Sequence, residues 1–411
     1  MADKKLVVVG GGAAGIFCAI TAAGFNRSLK IIVVEKTGKL LSKVKVSGGG
    51  RCNVTHSCFD RIEMSRQYPR GSHFMKKSFH RFFTTDTIQW FEERGVQLKT
   101  EKDGRMFPVT DSSQTIIECL MREANSLGIQ IILNSEIKNI AFEKEKFSLT
   151  YSDGRYDTSD FVCIATGGYP KTFMFDWLQK LGHNIEDPVP SLFTFNMPGN
   201  PITKLMGISV EDARVKIAGT KLTTQGPVLI THWGLSGPAI LRLSAWGARE
   251  LAGKDYQFKV NINWIPHFNE QVLIEKFHFQ RNNSGSQKII NRNPSGLPQR
   301  LWEFFLDSSG IDTDTRWADL PAKDQNNLIR SLTSYECVVH GKTTFKEEFV
   351  TAGGIQLSEV NANTMMSKKI PNLFFAGEVL NVDGITGGFN FQHAWTSGWI
   401  AGATIAGHVG D

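Results

Sequence analysis

The sequence predicts an α/β fold: a parallel sheet with helices on its faces, interrupted by an inserted domain of β-rich and helical character. Three observations predict it. The apolar run Leu6-Val7-Val8-Val9 feeds Gly10-Gly11-Gly12-Ala13-Ala14-Gly15, and a second apolar run, Ile31-Ile32-Val33-Val34, ends in Glu35. From about Ser191, Phe193-Thr194-Phe195, Val215-Lys216-Ile217 and Val228-Leu229-Ile230 read as strands with no helical pattern between them. At the far end, Leu373-Phe374-Phe375-Ala376 is again a buried type of strand running into Gly377-Glu378, as expected if the first and last segments share one sheet.

The first element is a strand, a glycine turn, a helix and a second strand ending in an acid, a layout that binds an adenine dinucleotide. Gly10 permits the tight turn, Gly12 lets backbone approach a pyrophosphate, and Gly15 lets the helix pack on the strand. The helix N-terminus, from Ala13 and Ala14 onward, offers free N–H groups and the positive end of its dipole to phosphate. Glu35 lies 20 residues beyond Gly15, where a carboxylate can accept from ribose hydroxyls and repel a 2′-phosphate. An ordinary glycine turn needs neither the flanking strands nor the spaced acid. Lys4 and Lys5 before a small, apolar stretch imitate a secretory leader, but three consecutive glycines and the immediate second strand argue against one.

The next element, Lys43 to Thr55, is expected as a loop that wraps the bound cofactor. Gly48, Gly49 and Gly50 expose backbone N–H groups to an anion, Lys43 and Arg51 can neutralise phosphate, and Ser47 and Asn53 supply directed hydrogen bonds. A mobile surface loop is the plain alternative. Cys52 and Cys58 form a C-x5-C pair that a redox-active disulfide could join, with nothing in the spacing to demand it. Amphipathic helices are expected over 85–94 and 112–127, the second stopping at Gly128, followed by a strand at 130–133. Residues 136–165 alternate as Ile137-Ile140-Phe142, Phe147-Leu149-Tyr151 and Phe161 to Ala165, which predicts a β-meander returning to the parallel sheet. It ends at Ala165-Thr166-Gly167-Gly168, a glycine turn at the carboxyl end of a strand and a second wall for the dinucleotide.

Within the insert, Thr231-His232-Trp233-Gly234-Leu235-Ser236-Gly237-Pro238 prescribes a fixed turn before a helix, and His232 reads as structural more readily than as a general base. Residues 270–330 alternate Asn-rich, basic and helical stretches, with the basic residues expected on a solvated face. The last segment, Asp383-Gly384-Ile385-Thr386-Gly387-Gly388-Phe389-Asn390, leads into a helix through Ala406 whose N-terminus can face the electron-rich edge of a redox ring system. Ala394, Gly398 and Gly402 recur every four residues, the spacing of close helix packing. The expected division is 1–190 with 346–411 as the dinucleotide domain and 191–345 as the insert, with a β-barrel-like lobe over 191–265 and 325–345 and a helical lobe over 266–324.

Composition narrows the class. The 411 residues exceed the usual size of one domain, 41% are hydrophobic and 21% charged, and no run of about 18 apolar residues exists to span a bilayer. A cytoplasmic protein is expected, with six scattered cysteines as reduced thiols and no metal site. The net charge of +6, from 46 basic and 40 acidic residues, argues against nucleic acid as a partner.

Taken together, G-G-G-A-A-G at 10–15, S-G-G-G-R-C-N-V-T at 47–55, G-R-M-F-P-V-T at 104–110, A-T-G-G at 165–168, T-H-W-G-L-S-G-P-A at 231–239, T-A-G-G-I at 351–355 and A-G-E-V-L-N-V-D-G-I-T-G-G-F-N-F-Q at 376–392 resemble the bacterial BaiN/RdsA-type (YhiN-like) NAD(P)/FAD-dependent oxidoreductases over nearly the whole chain. The resemblance implies a glutathione-reductase-type FAD domain, with adenosine at Glu35 and flavin near Gly388 to Asn390. Lys36, Ile137, Gly377, Glu378, Asp383, Gly387 and Phe389 complete the expected cofactor contacts. One departure stands out: after Ala165 to Gly168 the family pattern carries a second glycine-rich turn, whereas this chain runs through Tyr169-Pro170-Lys171 directly to Leu181-Gly182-His183.

The leading expectation is therefore redox catalysis on a small molecule, with tightly bound FAD. The donor is expected to be either NAD(P)H, bound only transiently because one dinucleotide fingerprint is present, or an organic molecule. A flavin-bearing sensor without turnover and a flavin-dependent RNA-modifying enzyme are the alternatives. No residue identifies the substrate or a catalytic base; His232, Arg51 and Cys52 are the candidates.

Overall fold

The protein is described from a computed structural model, over residues 4–343 and 350–407. It divides into two compact units, Met1–Ser191 with Phe345–Asp411, and Leu192–Thr344. The expected boundary at 345/346 lies outside the described residues. Among those residues no helix is long and apolar enough to cross a membrane, and no cluster of His, Cys, Asp and Glu is suited to a metal ion.

The first unit is built on a five-stranded parallel sheet in the order Leu373–Phe375, Phe161–Ile164, Lys5–Val9, Lys30–Val34, Gln130–Ile132. Its central strands are continuous apolar runs because the sheet is buried on both faces, so that neither face needs polar side chains. The chain moves from the central strand to one edge, then returns to the other side of the same strand. Gly10 thus stands at the point where strand order reverses, the place where open parallel sheets bind ligands. The expected meander forms from Ile137–Glu143, Lys146–Tyr151 and Tyr156–Ser159, with Phe147, Leu149 and Tyr151 buried on one face.

Two helices cross behind the sheet. Ala13–Phe25 and Phe389–Ile405 pack at close range because the second presents glycines: a Cβ on Gly398 would stand 2.6 Å from the Ala14 carbonyl oxygen, and one on Gly402 would stand 2.4 Å from that of Cys18. Phe17 fills the adjoining space against Trp90, Trp395 and Phe82, with ring centroids 4.7, 5.3 and 5.7 Å away. The helix of Ser113–Ser126 and the strand that follows it fall where their pattern places them.

The second unit carries a seven-stranded sheet of antiparallel pairs. Its order is Tyr335–His340, Gln257–Asn263, Ser209–Ile217, Thr223–Thr231, Gly234–Ser236, Thr194–Asn196, Lys342–Thr343. The two outermost strands are joined through Gly341, so the sheet curls back on itself. Helices Glu270–Ser284, Gln299–Ser308 and Ala322–Thr333 pack beside it over Trp264, Trp302 and Trp317, all fully buried. Residues 325–333, expected in the β lobe, are helical: Leu328, Ile329 and Leu332 recur at helical spacing and are buried, and the strand begins only at Tyr335.

Candidate functional site: a glycine-lined dinucleotide cradle

The glycine turn is held by backbone geometry that leaves one side open. Gly10 has φ +114°, and a Cβ there would meet the Ala165 carbonyl oxygen at 2.3 Å; one on Gly15 would meet the Gly10 carbonyl oxygen at 2.0 Å. Gly12 differs. It has ordinary φ and ψ, no side-chain cap, and nothing within 4 Å of where a Cβ would point. The first N–H groups of the helix Ala13–Phe25 therefore face a space that a ligand phosphate can enter.

Glu35 ends the second strand and organises this turn. Its Oε2 accepts from Gly11 N at 2.9 Å, and its Oε1 accepts from Thr37 N and Oγ1, both at 2.9 Å. Lys36 beside it is exposed and lies over the Tyr169 ring at 5.7 Å. Ala165 N donates to Val9 O at 2.8 Å, placing the Thr166-Gly167-Gly168 turn alongside Gly10, with open space at Gly167.

The segment expected as a loop after the second strand begins as a helix. Ser42 to Val46 is helical and packs Val44 in the core; Ser47, at ψ 149°, breaks it, and Gly48 and Gly49 follow in the left-handed region. Gly49 and Gly50 again border open space, whereas Gly48 is packed against Phe107 and Asn53. Lys43 Nζ reaches Glu378 Oε2 at 2.6 Å, and Glu378 Oε1 accepts from Thr351 N at 2.8 Å and lies against Gly168. A Cβ on Gly377 would stand 2.8 Å from the Ala14 methyl. Three glycine turns far apart in sequence, at 10–15, 165–168 and 377–378, thus share one rim with the Lys43 segment.

At the other end of this rim, the helix Phe389–Ile405 starts from Gly388 with no side-chain cap. The Asn53 amide, oriented by its neighbours, donates to Thr55 O and accepts from Gly388 N, each at 3.0 Å. Phe389 is buried and stacks on His56, centroids 4.7 Å apart, while Gly387 packs on Phe389. Burial lowers the pKa of His56, whose Nε2 lies 3.1 Å from Asp103 O. Neither His56 nor its stacking on Phe389 was legible beforehand, because the pairing joins segments over 300 residues apart.

Several expected contacts have other partners. The Arg51 guanidinium lies over the Phe107 ring at 4.0 Å and pairs with Glu101 at 2.6 Å and Asp111 at 3.6 Å. Cys52 is fully buried, and burial pushes its thiol up to about 12; Cys52 and Cys58 are both free thiols. A buried thiol that keeps its proton is a poor nucleophile. The buried Asp383 carboxylate accepts from Arg70 and Ser191 Oγ, and Asn390 closes a local turn through Gly384 N and O at 2.8 and 2.9 Å. Ile137 is buried at the start of the meander. His232 is an exposed residue of the second unit, against Trp233 in the hairpin turn.

The described residues thus fit a dinucleotide: a helix N-terminus without a cap, an acid at the second strand, and glycines bordering open space. Comparison with known proteins agrees with this fold. The family model described as "HI0933-like protein Rossmann domain" matches residues 4–404. The chain is 30% identical to the ribosomal RNA dihydrouridine synthase of Escherichia coli, over 96% of both chains. It is 24% identical to the 3-dehydro-bile acid delta(4,6)-reductase of Clostridium scindens, over 98% of this chain and 99% of that one. Among solved structures, the 3-ketosteroid-delta4-(5alpha)-dehydrogenase of Rhodococcus jostii superposes with a TM-score of 0.52 at 13% identity, covering 99% of this chain and 98% of that one, a likeness of fold. The chain belongs to the HI0933-like Rossmann family.

Proposed function

We propose that this protein is an FAD-dependent reductase of a carbon–carbon double bond conjugated to a carbonyl, and that its substrate is a uridine in RNA. The observation that carries the reading is the 30% identity to an rRNA dihydrouridine synthase across 96% of both chains, insert included. The uracil ring offers an alkene beside a carbonyl, and the 24% identical bile-acid relative is named for reduction of a comparable enone system. The two names therefore agree on bond type although they differ in substrate.

FAD, when bound, supplies the two-electron chemistry. The protein's own residues bind and orient it: the N–H groups from Ala13 onward and the open backbone at Gly12, Gly49, Gly50 and Gly167 accommodate its phosphates, and Glu35 can exchange its present partners for ribose hydroxyls. Lys43, held by Glu378, keeps a positive charge on the same rim. Gly388 begins a helix whose N-terminal dipole favours negative charge at that end of the rim. Overall, NAD(P)H and one proton are consumed, the alkene gains two hydrogens, and NAD(P)+ leaves, so electrons and atoms balance.

An anaerobic titration of the purified protein with NADH and with NADPH tests the redox half of this reading. Bleaching of the visible band of the bound flavin is expected, followed by its return on adding acceptor. Retention of the band, with FAD present, would contradict a nicotinamide-driven reductase. Return of the band with a steroid dienone but not with RNA would shift the substrate to a small molecule.

A further inference from the structure

The net charge of +6 hides a local asymmetry: from Lys276 to Trp302 the sequence contains Lys276, Arg281, Lys288, Arg292 and Arg300 and no Asp or Glu. The fold of the second unit gathers part of this run with two further cations. Gln299 Nε2 donates to Ile290 O at 2.9 Å, bringing the helix Gln299–Ser308 against the turn at Ile289–Asn291. Arg300 Nη2 donates to Lys204 O at 3.3 Å, and Lys288 pairs with Arg316 through a short antiparallel bridge. Lys204, Lys288, Arg292, Arg300 and Arg316 are all exposed.

The inner side of the same segments is core: Ile289, Leu301, Trp302 and Trp317 are fully buried. The cations therefore stand on a packed platform, which reduces the ordering needed when they bind. The acids nearby are Glu303, hydrogen-bonded to Gln299, together with Asp307, Asp312, Asp314 and Asp319, whose N–H donates to Arg316 O at 3.0 Å. Asp314 pairs with Lys288. Among the described residues no carboxylate pairs with Lys204, Arg292, Arg300 or Arg316. Arg292 Nε donates to Gln287 Oε1 at 2.9 Å, a neutral partner that leaves its charge uncompensated, and exposed guanidinium groups without carboxylate partners match the phosphate contacts that position a nucleic-acid strand.

We propose that the surface carrying Lys204, Lys288, Arg292, Arg300 and Arg316 binds the phosphate backbone of the RNA substrate. This rests on the RNA reading of the preceding subsection and deepens it, by assigning strand positioning to the second unit.

The test uses the full-length, FAD-loaded protein and protein-free ribosomal RNA transcribed in vitro, with binding measured by filter retention over a series of potassium chloride concentrations. For R292E/R300E the affinity is expected to fall about tenfold or more. The plot of log K against log salt should become shallower by at least about 1.4, the share of two phosphate contacts on a single strand. Flavin content and the rate of flavin reduction by NAD(P)H should equal those of the wild type. K138E/K144E, which makes the same change in net charge on the meander, should keep wild-type affinity and slope. An unchanged affinity and slope in R292E/R300E, or an equal loss in the meander control, would overturn the assignment while leaving the RNA reading in place. A wild-type protein that neither binds this RNA nor forms dihydrouridine in it would overturn both.

Discussion

Arg70 and Asp383, 313 residues apart, form a two-pronged ion pair in the first unit: Arg70 Nε donates to Asp383 Oδ1 at 2.5 Å and Nη2 donates to Oδ2, while Ser191 Oγ donates to Oδ2 at 2.7 Å. The Asp383 side chain is completely buried and that of Arg70 is 14% exposed. Burial raises the Asp383 carboxyl pKa, and the guanidinium and the Ser191 hydroxyl oppose that rise. The pair pins the strand end at Ser191 and the loop before Gly388, two segments that bear on the cradle.

Removing one partner leaves the other charged and buried without compensation. Arg70→Met is expected to destabilise the protein by about 3–5 kcal/mol. The double variant R70M/D383L, which removes both charges, should recover part of that loss. Chemical denaturation of the three proteins checks this; additive losses in the double variant would show that the two residues do not act as a pair.

Glycines that look alike in sequence should respond in opposite ways. Gly24 lies in the helix Ala13–Phe25 with nothing near its Cβ position, so Gly24→Ala should stabilise by up to about 1 kcal/mol. Gly398, against the Ala14 carbonyl, has no such room, and Gly398→Ala should destabilise by about 1–3 kcal/mol through overpacking. Thermal melts of both variants decide it, and equal shifts would contradict the helix contact described above.

His393 gives the fold an acid-sensitive component. It is buried, its Nε2 lies 3.0 Å from Gly377 O, and burial pulls its pKa down to about 4. Below the ordinary value near 6.5 the unfolded chain takes up a proton that the folded state refuses. Its contribution is therefore present above about pH 6.5 and is lost as pH falls towards 4, by up to about 3 kcal/mol. His393→Asn should flatten this dependence in melts recorded from pH 7.5 to 4.5; a variant with the wild-type slope would remove His393 as its source.

Gly12 separates binding from folding. Its backbone is unstrained and its Cβ direction open, so Gly12→Val should fold with an apo melting temperature close to that of the wild type while losing most of its FAD. Absorbance of the purified protein measures the second and calorimetry of cofactor-stripped samples the first. Full retention of flavin would move the phosphates away from this turn.

Much of this architecture was legible because it rests on local patterns. Val7, Val8, Ile32 and Val33 announce a sheet covered on both faces, Phe147-Leu149-Tyr151 alternates as a half-buried strand does, and Ala394, Gly398 and Gly402 repeat at the spacing of a helix contact. The electrostatic partners were not legible. Arg51 beside three glycines reads as a phosphate ligand, yet Glu101 and Asp111, 50 and 60 residues on, hold it; no local signal records such a pairing. Asp383 likewise reads as a cofactor acid, and nothing local announces Arg70 as its partner. The helical start of Ser42 to Val46 was missed because Val44 alone anchors it, too few apolar positions to show a period.

The most direct measurement of the central claim is a single anaerobic turnover. The FAD-loaded protein is reduced with one equivalent of NADPH and mixed with ribosomal RNA transcribed in vitro; the flavin band is followed while the RNA is digested and weighed by mass spectrometry. Return of the band in step with one dihydrouridine formed per flavin is the predicted result. A band that stays bleached, with every uridine unchanged while a steroid dienone restores it, would contradict the claim.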